Sequence, residues 1–272
     1  MLHGKRIGFL GSGNMAEAII NGLIKSGRVK KTEISVSDKS IERLNVVVEG
    51  YGVEGFSKNF EVARRSDIII LAVKPNMIGP VLEEIRDEIG PDKLLVSIAA
   101  GITIQKLASC LNKDARIVRV MPNTPALVLA GVSVICPELS VSEEETGSVV
   151  AIFEAVGKAL ILADESLMDG VTGLSGSGPA FVYTFIEALS DAGVKVGLPR
   201  DTATLLATQT VYGAAKTVEE EKRHPAELRD MVTSPGGTTI AGMGQLEEKG
   251  FRAAVIAAVE AATKRSKELG CK

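Results

Sequence analysis

The chain has 272 residues, 45% of them apolar, and 31 Lys and Arg against 34 Asp and Glu give it a formal charge of −3. That length allows one large domain or two ordinary ones with real cores, and the mixed, nearly balanced charge argues against nucleic acid or an anionic membrane as the main partner. No apolar run reaches the roughly 18 residues of a membrane span and nothing near the start reads as a signal peptide, so a cytoplasmic protein is expected; three widely spaced cysteines, Cys110, Cys136 and Cys271, and two histidines, His3 and His224, offer no disulfide framework, metal site or histidine-based triad.

In chain order, the first element is also the most informative. The stretch Lys5-Arg-Ile-Gly-Phe-Leu-Gly-Ser-Gly-Asn-Met-Ala16 joins a short apolar strand to a helix through a loop almost bare of side chains. Gly11 permits a turn that a Cβ would obstruct, Gly13 lets the backbone approach a pyrophosphate, and the small Ala16 lets helix pack on strand. The anion then meets free amides and the positive end of a helix beginning near Asn14. A second strand over 33–37 ends in Asp38, 22 residues beyond Ala16, where an acid hydrogen-bonds an adenine-ribose 2′-OH. The pattern therefore predicts a dinucleotide site.

Further β-branched runs follow at 67–73, 94–98, 116–120, 131–136 and 158–163, alternating with helical stretches in the order of a doubly wound parallel sheet. Ile68-Ile-Ile-Leu-Ala-Val73 and Leu94-Leu-Val-Ser-Ile-Ala99 are apolar without alternation, which suits central strands covered on both faces. Between them Met77, Val81, Leu82, Ile85 and Ile89 have the spacing of a crossover helix. Residues 118–126 end a strand at the ligand-binding edge of such a sheet, with two prolines as a rigid wall, and Glu143-Glu-Glu145 reads as a solvated helix start.

After about Glu165 the strand vocabulary stops. A helix is expected from Ser177-Gly-Pro179, with Phe181, Phe185, Ala188 and Ala192 on one stripe. Another follows Leu198-Pro199, and a last one carries Phe251, Ala254, Val255, Ala258, Val259 and Ala262. Such stripes exceed what one small domain hides, so a homodimer is preferred to a compact monomeric bundle. The expected architecture is α/β: a dinucleotide-binding Rossmann-like domain over 1–164, then an all-helical substrate-binding and dimerisation domain over 165–272. Within the latter, Thr233-Ser-Pro-Gly-Gly-Thr-Thr239 precedes a helix and presents amides and hydroxyls suited to a carboxylate, though a Thr-capped interhelical turn reads equally well. Thr172-Gly-Leu-Ser-Gly-Ser-Gly-Pro179 reads as a hinge or as a tight helix crossing, the latter preferred.

Taken together, Ile7-Gly-Phe-Leu-Gly-Ser-Gly-Asn-Met-Ala16, Ala72-Val-Lys-Pro75, Ser97-Ile-Ala-Ala-Gly101, Met121-Pro-Asn-Thr-Pro-Ala126, Gly173-Leu-Ser-Gly-Ser-Gly-Pro179 and Val232-Thr-Ser-Pro-Gly-Gly-Thr-Thr239 resemble the pyrroline-5-carboxylate reductase family from Ile7 to about Leu269. The resemblance implies reduction of L-1-pyrroline-5-carboxylate to L-proline by NADPH or NADH. It implies a carboxylate site at Ser234, Gly237, Thr238 and Thr239, with the Thr239 hydroxyl at the ring nitrogen and Glu165 approaching the ligand. It implies cofactor contacts at Leu10, Gly11, Ser12, Gly13, Asn14 and Met15, at Asp38 and Asn59, at Ala72, Val73, Lys74 and Pro75, and at Ala100. It also implies homodimers, often built into rings.

This chain departs from the pattern at Asp38, where Ser or Asn is frequent; a carboxylate there favours NADH, while Lys39 and Ser37 leave NADPH open. Met231 replaces a frequent Asn and is not carried over. A β-hydroxyacid-type dehydrogenase would want a Lys on the first long helix after 177, which has none before Lys195. A dinucleotide-sensing protein without turnover is disfavoured by the intact 234–239 segment.

Overall fold

The structure is a computed structural model, and it describes residues 2–112 and 114–270; Cys271 lies outside them. The strands are β1 (Ile7–Leu10), β2 (Ile34–Ser37), β3 (Glu54–Phe56), β4 (Ile68–Leu71), β5 (Leu94–Ser97), β6 (Arg116–Met121), β7 (Gly131–Pro137) and β8 (Gly157–Ile161). Between them run the helices α1 (Asn14–Lys25), α2 (Ile41–Tyr51), α3 (Asn59–Arg65), α4 (Ile78–Ile85), α5 (Ile104–Ala108) and α6 (Glu143–Glu154). After the sheet come α7 (Met168–Val171), α8 (Gly178–Lys195), α9 (Arg200–Glu221), α10 (Pro225–Met231), α11 (Thr238–Glu248) and α12 (Phe251–Gly270).

The strands form one sheet in the order β3-β2-β1-β4-β5-β6-β7-β8. Its doubly wound α/β character matches the expectation, with two differences. The β6–β7 pair is antiparallel, because the connection between Met121 and Gly131 holds only a 3₁₀ turn at Thr124–Val128, too short for the crossover that a parallel partner needs. The strand β3 lacks any β-branched residue and so carries no strand signal of its own; it is held at the edge by pairing with β2.

The apolar runs bury both faces. Ile68 and Ile70 join Ile7, Phe9, Ile19 and Phe153 on one side, while Ile69 and Leu71 join Leu82, Leu95 and Ile117 on the other. Caps written in the sequence begin the helices: the Ser40 hydroxyl accepts from the Arg43 amide at 3.3 Å, and Ser142 and Glu145 form a reciprocal capping box at the head of α6. Glu145 is therefore no solvated charge, since it also pairs with Arg116. Thr172–Gly176 forms a π-helical turn. Cys136 is buried and Cys110 half-buried, and both are free.

Two compact units emerge, Met1–Ser177 with Ala261–Lys272, and Gly178–Glu260. The contact boundary falls later than the change of vocabulary at 164/165 because 165–171 pack on the sheet: Met168 is fully buried against Val134 and Cys136. In the second unit only Ser190, Ala203 and Ala207 are buried. There α8 meets α9 so closely that a Cβ at Gly193 would lie 2.8 Å from the Ala203 Cβ, and Phe185 packs on Phe251 with ring centroids 5.8 Å apart. Of the predicted stripes, Phe185, Phe251 and Val255 are 37%, 40% and 45% exposed in one chain, and Leu205 and Ile256, outside those stripes, are 69% and 59% exposed.

Candidate active site

In the first unit, the carboxyl ends of β1, β2 and β4 open on a cleft of about 490 Å³. Gly11, Gly13, Asp38, Asn59, Ala72, Val73 and Lys74, all named from the sequence, line it together with Lys39, Asn76, Met77 and Val81. Gly11 has φ +99°, and a Cβ there would lie 2.7 Å from the Ala72 carbonyl oxygen, so a side chain is excluded twice. At Gly13, the N-cap of α1, a Cβ would meet nothing within 4 Å; Gly13 and Asn14 are exposed, and no side chain caps the helix. A diphosphate fits this arrangement of open backbone and unspent amides.

The other predicted cofactor residues take supporting places. Leu10 and Ser12 are fully buried, Met15 is half-buried in the first turn of α1, Pro75 opens a 3₁₀ turn, and Ala100 sits in the turn after β5. Asp38 turns onto the glycine loop: Oδ2 accepts from the Ser12 amide and hydroxyl, each at 2.8 Å, and Oδ1 accepts from the Ser40 amide at 2.9 Å. Burial alone would raise its pKa, but these donors prevail and hold the carboxyl below the ordinary aspartate value. Asn59 is clamped by Glu84, which accepts from its amide at 2.8 Å and its Nδ2 at 2.6 Å, while its Oδ1 accepts from Ser37 Oγ. The Ser37 hydroxyl is thus buried and committed, which removes it as a receiver for a 2′-phosphate and leaves Lys39. Sequence reasoning missed Glu84 and also Arg43, whose Nε donates to the Ser12 carbonyl at 2.7 Å. A charge on a helix that turns inward looks the same in sequence as one facing water.

In the second unit, Ser234, Gly237, Thr238 and Thr239 come together at the head of α11. Gly236 has φ +68°, and Gly237, the N-cap, donates its amide to the Ser234 carbonyl at 3.1 Å. Because that amide is engaged, the donors left for an acid are those of Thr238 and Thr239. No side chain caps them and no acidic residue stands in the first turn. Glu165 lies elsewhere, in the first unit, where its Oε1 accepts from Arg119 Nη1 at 3.0 Å and from the Ile104 amide at 2.8 Å. Arg119 was also missed; a cation inside the apolar strand 116–120 was the available signal. Among the described residues no group of His, Cys, Asp or Glu is arranged to hold a metal ion, and no helix is long and apolar enough to cross a membrane.

A glycine turn heading a helix at the edge of a doubly wound sheet, followed by a helical segment with an anion-receptive turn, defines a dinucleotide-dependent oxidoreductase of the Rossmann class. Residues 6–101 match the family described as NADP oxidoreductase, coenzyme F420-dependent, and residues 165–269 match the one described as pyrroline-5-carboxylate reductase dimerisation. The chain is 47% identical to the pyrroline-5-carboxylate reductase of Escherichia coli over 97% of its own length and 98% of the relative's. It is 46% identical to that of Methanosarcina acetivorans over the whole of both chains. Among solved structures, the Coxiella burnetii pyrroline-5-carboxylate reductase superposes with a TM-score of 0.92 at 38% identity, covering 97% of this chain and 98% of the other. The Plasmodium falciparum pyrroline carboxylate reductase, solved with NADP bound, superposes at 0.89 and 38%, covering 98% of each. The chain belongs to the pyrroline-5-carboxylate reductase family.

Proposed function

We propose that this chain reduces L-1-pyrroline-5-carboxylate to L-proline with NADH or NADPH, the last step of proline biosynthesis. The reduced nicotinamide supplies the hydride, which goes to the imine carbon; a proton on the ring nitrogen makes that carbon electrophilic, and the product is the secondary amine. The protein's part is chiefly to hold donor and acceptor in register. The amides of Thr238 and Thr239 with the Ser234 hydroxyl receive the substrate carboxylate, Gly237 shapes the turn, and Thr239 Oγ hydrogen-bonds the ring nitrogen. Glu165 contributes from the segment that leads into the helical part.

On the cofactor side, Gly11, Gly13, Asn14 and Met15 hold the diphosphate over buried Leu10 and Ser12. Asp38 and Asn59 flank the adenosine, Ala72, Val73, Lys74 and Pro75 run along the cofactor, and Ala100 meets the nicotinamide end. Asp38 disfavours a 2′-phosphate, so NADH is preferred, while Lys39 in the same cleft lets NADPH bind. Residues 1–164 act as the dinucleotide-binding part and 165–272 as the substrate-binding and dimerisation part of a cytoplasmic homodimer. The uncapped turn 234–239 carries the reading, in a chain that matches known reductases along its full length. Oxidation of NADH or NADPH by the purified chain on adding pyrroline-5-carboxylate is the test; a folded protein without that turnover overturns it.

A further inference from the structure

Among the described residues of the first unit, Arg119 is the one buried Arg or Lys, with a side chain 4% exposed. Its Nη1 donates to Glu165 Oε1 at 3.0 Å, and its Nη2 lies 3.9 Å from Asp169 Oδ1. Each acid passes the contact on. Glu165 Oε1 also accepts from the Ile104 amide at 2.8 Å, and Asp169 Oδ1 accepts from the buried Ser266 hydroxyl on α12 at 2.6 Å. These two endpoints flank one loop. Ile104 closes 98–104, and at its middle Gly101, φ +75°, is so close to the end of α12 that a Cβ on Gly270 would lie 2.5 Å from the Gly101 carbonyl oxygen. Met168, Val134 and Cys136 make a small buried apolar cluster against which Ile104 packs.

We propose that Arg119 is a positioning residue for hydride transfer. Through Glu165 on Ile104 and through Asp169 and Ser266 on α12, it holds the loop that carries Ala100. This rests on the proposed function, in which Ala100 meets the nicotinamide end. A buried guanidinium suits the task because its fork serves two acids at fixed angles, which a lysine ammonium cannot copy. Displacing the loop misaligns the reacting carbons without touching the diphosphate grip, so the effect falls on the chemical step.

The test compares Arg119→Lys and Ser266→Ala with the unsubstituted enzyme, in the assembled form, using cofactor deuterated at the transferred position and hydrogen exchange of the Ile104 amide. Arg119→Lys is expected to lower kcat by about a hundredfold, to raise the deuterium isotope effect, to leave the dinucleotide KM within about twofold, and to speed exchange at Ile104. Ser266→Ala, the milder change, moves the same quantities in the same direction and decides the matter if Arg119→Lys does not fold. Unchanged exchange at Ile104, or a kcat within about twofold of the parent in a folded variant, overturns the proposal. If the unsubstituted chain fails to turn over pyrroline-5-carboxylate, the proposed function falls instead, and the exchange measurement still decides whether Arg119 holds the loop.

Discussion

At the scale of single residues, two positions separate binding from chemistry. Thr239 stands in the first turn of α11 with an uncapped amide; Thr239→Ala is expected to lower kcat by about a hundredfold with the fold intact, as loss of a hydrogen bond to the reacting nitrogen would. Unchanged steady-state kinetics would remove Thr239 from the mechanism. Asp38→Ser removes the carboxylate proposed above to flank the ribose and should move the NADPH/NADH preference towards NADPH by on the order of tenfold, equivalent to about 1.4 kcal/mol. The ratio of kcat/KM values measures it, and no change would mean the carboxylate serves only the Ser12 loop. Asp38 also gives a pH dependence with a definite sign. Its folded pKa is depressed, so its contribution to stability is complete above the ordinary aspartate value of about 3.9 and is lost as pH falls through the lower folded value. Asp38→Asn should flatten that acid limb in denaturant titrations, leaving the slope due to Asp67 and Glu145, which are depressed in the same direction.

At the scale of elements, the helices that position the cleft are fixed at their ends by side chains. The chain end of α3 is one case: Lys93 Nζ donates to the carbonyls of Ala63 at 2.7 Å, Arg64 at 3.0 Å and Ser66 at 2.9 Å. Burial lowers the Lys93 pKa, yet three carbonyls satisfy the ammonium at the negative end of the helix dipole. Lys93→Met is expected to destabilise the protein by on the order of 2 kcal/mol, read as a lower denaturant midpoint at unchanged slope. The elements also show what the chain makes legible. Periodicity placed the crossover helix of 78–85, whose apolar stripe is buried, and the Pro in the first turn of Ser177-Gly-Pro179 placed the start of α8. It did not reveal β3, whose three residues have no pattern of their own, nor the reversed direction of β7, which follows from the length of a turn and not from the strand's composition.

At the scale of the whole molecule, the second unit buries almost nothing by itself. Leu205, Tyr212 and Ile256 are 69%, 60% and 59% exposed, apolar surface of the kind that association covers. A dimer or a higher assembly is expected in sedimentation at micromolar concentration, and Ile256→Asp should drive it towards monomer with a lower melting temperature. A monomeric parent chain would defeat the argument.

The order of elements, the glycine turn at 11–13 and the 233–239 segment were readable from sequence because each depends on local chemistry: a missing Cβ, a helix about to begin, a β-branched run. The inward turn of Asp38 onto Ser12, the clamp of Glu84 on Asn59, the burial of Arg119 between Glu165 and Asp169 and the antiparallel β7 were decided only in three dimensions. Whether a polar side chain meets water or another side chain depends on partners 25 to 61 residues away, and those distances are set by packing, not by neighbours along the chain.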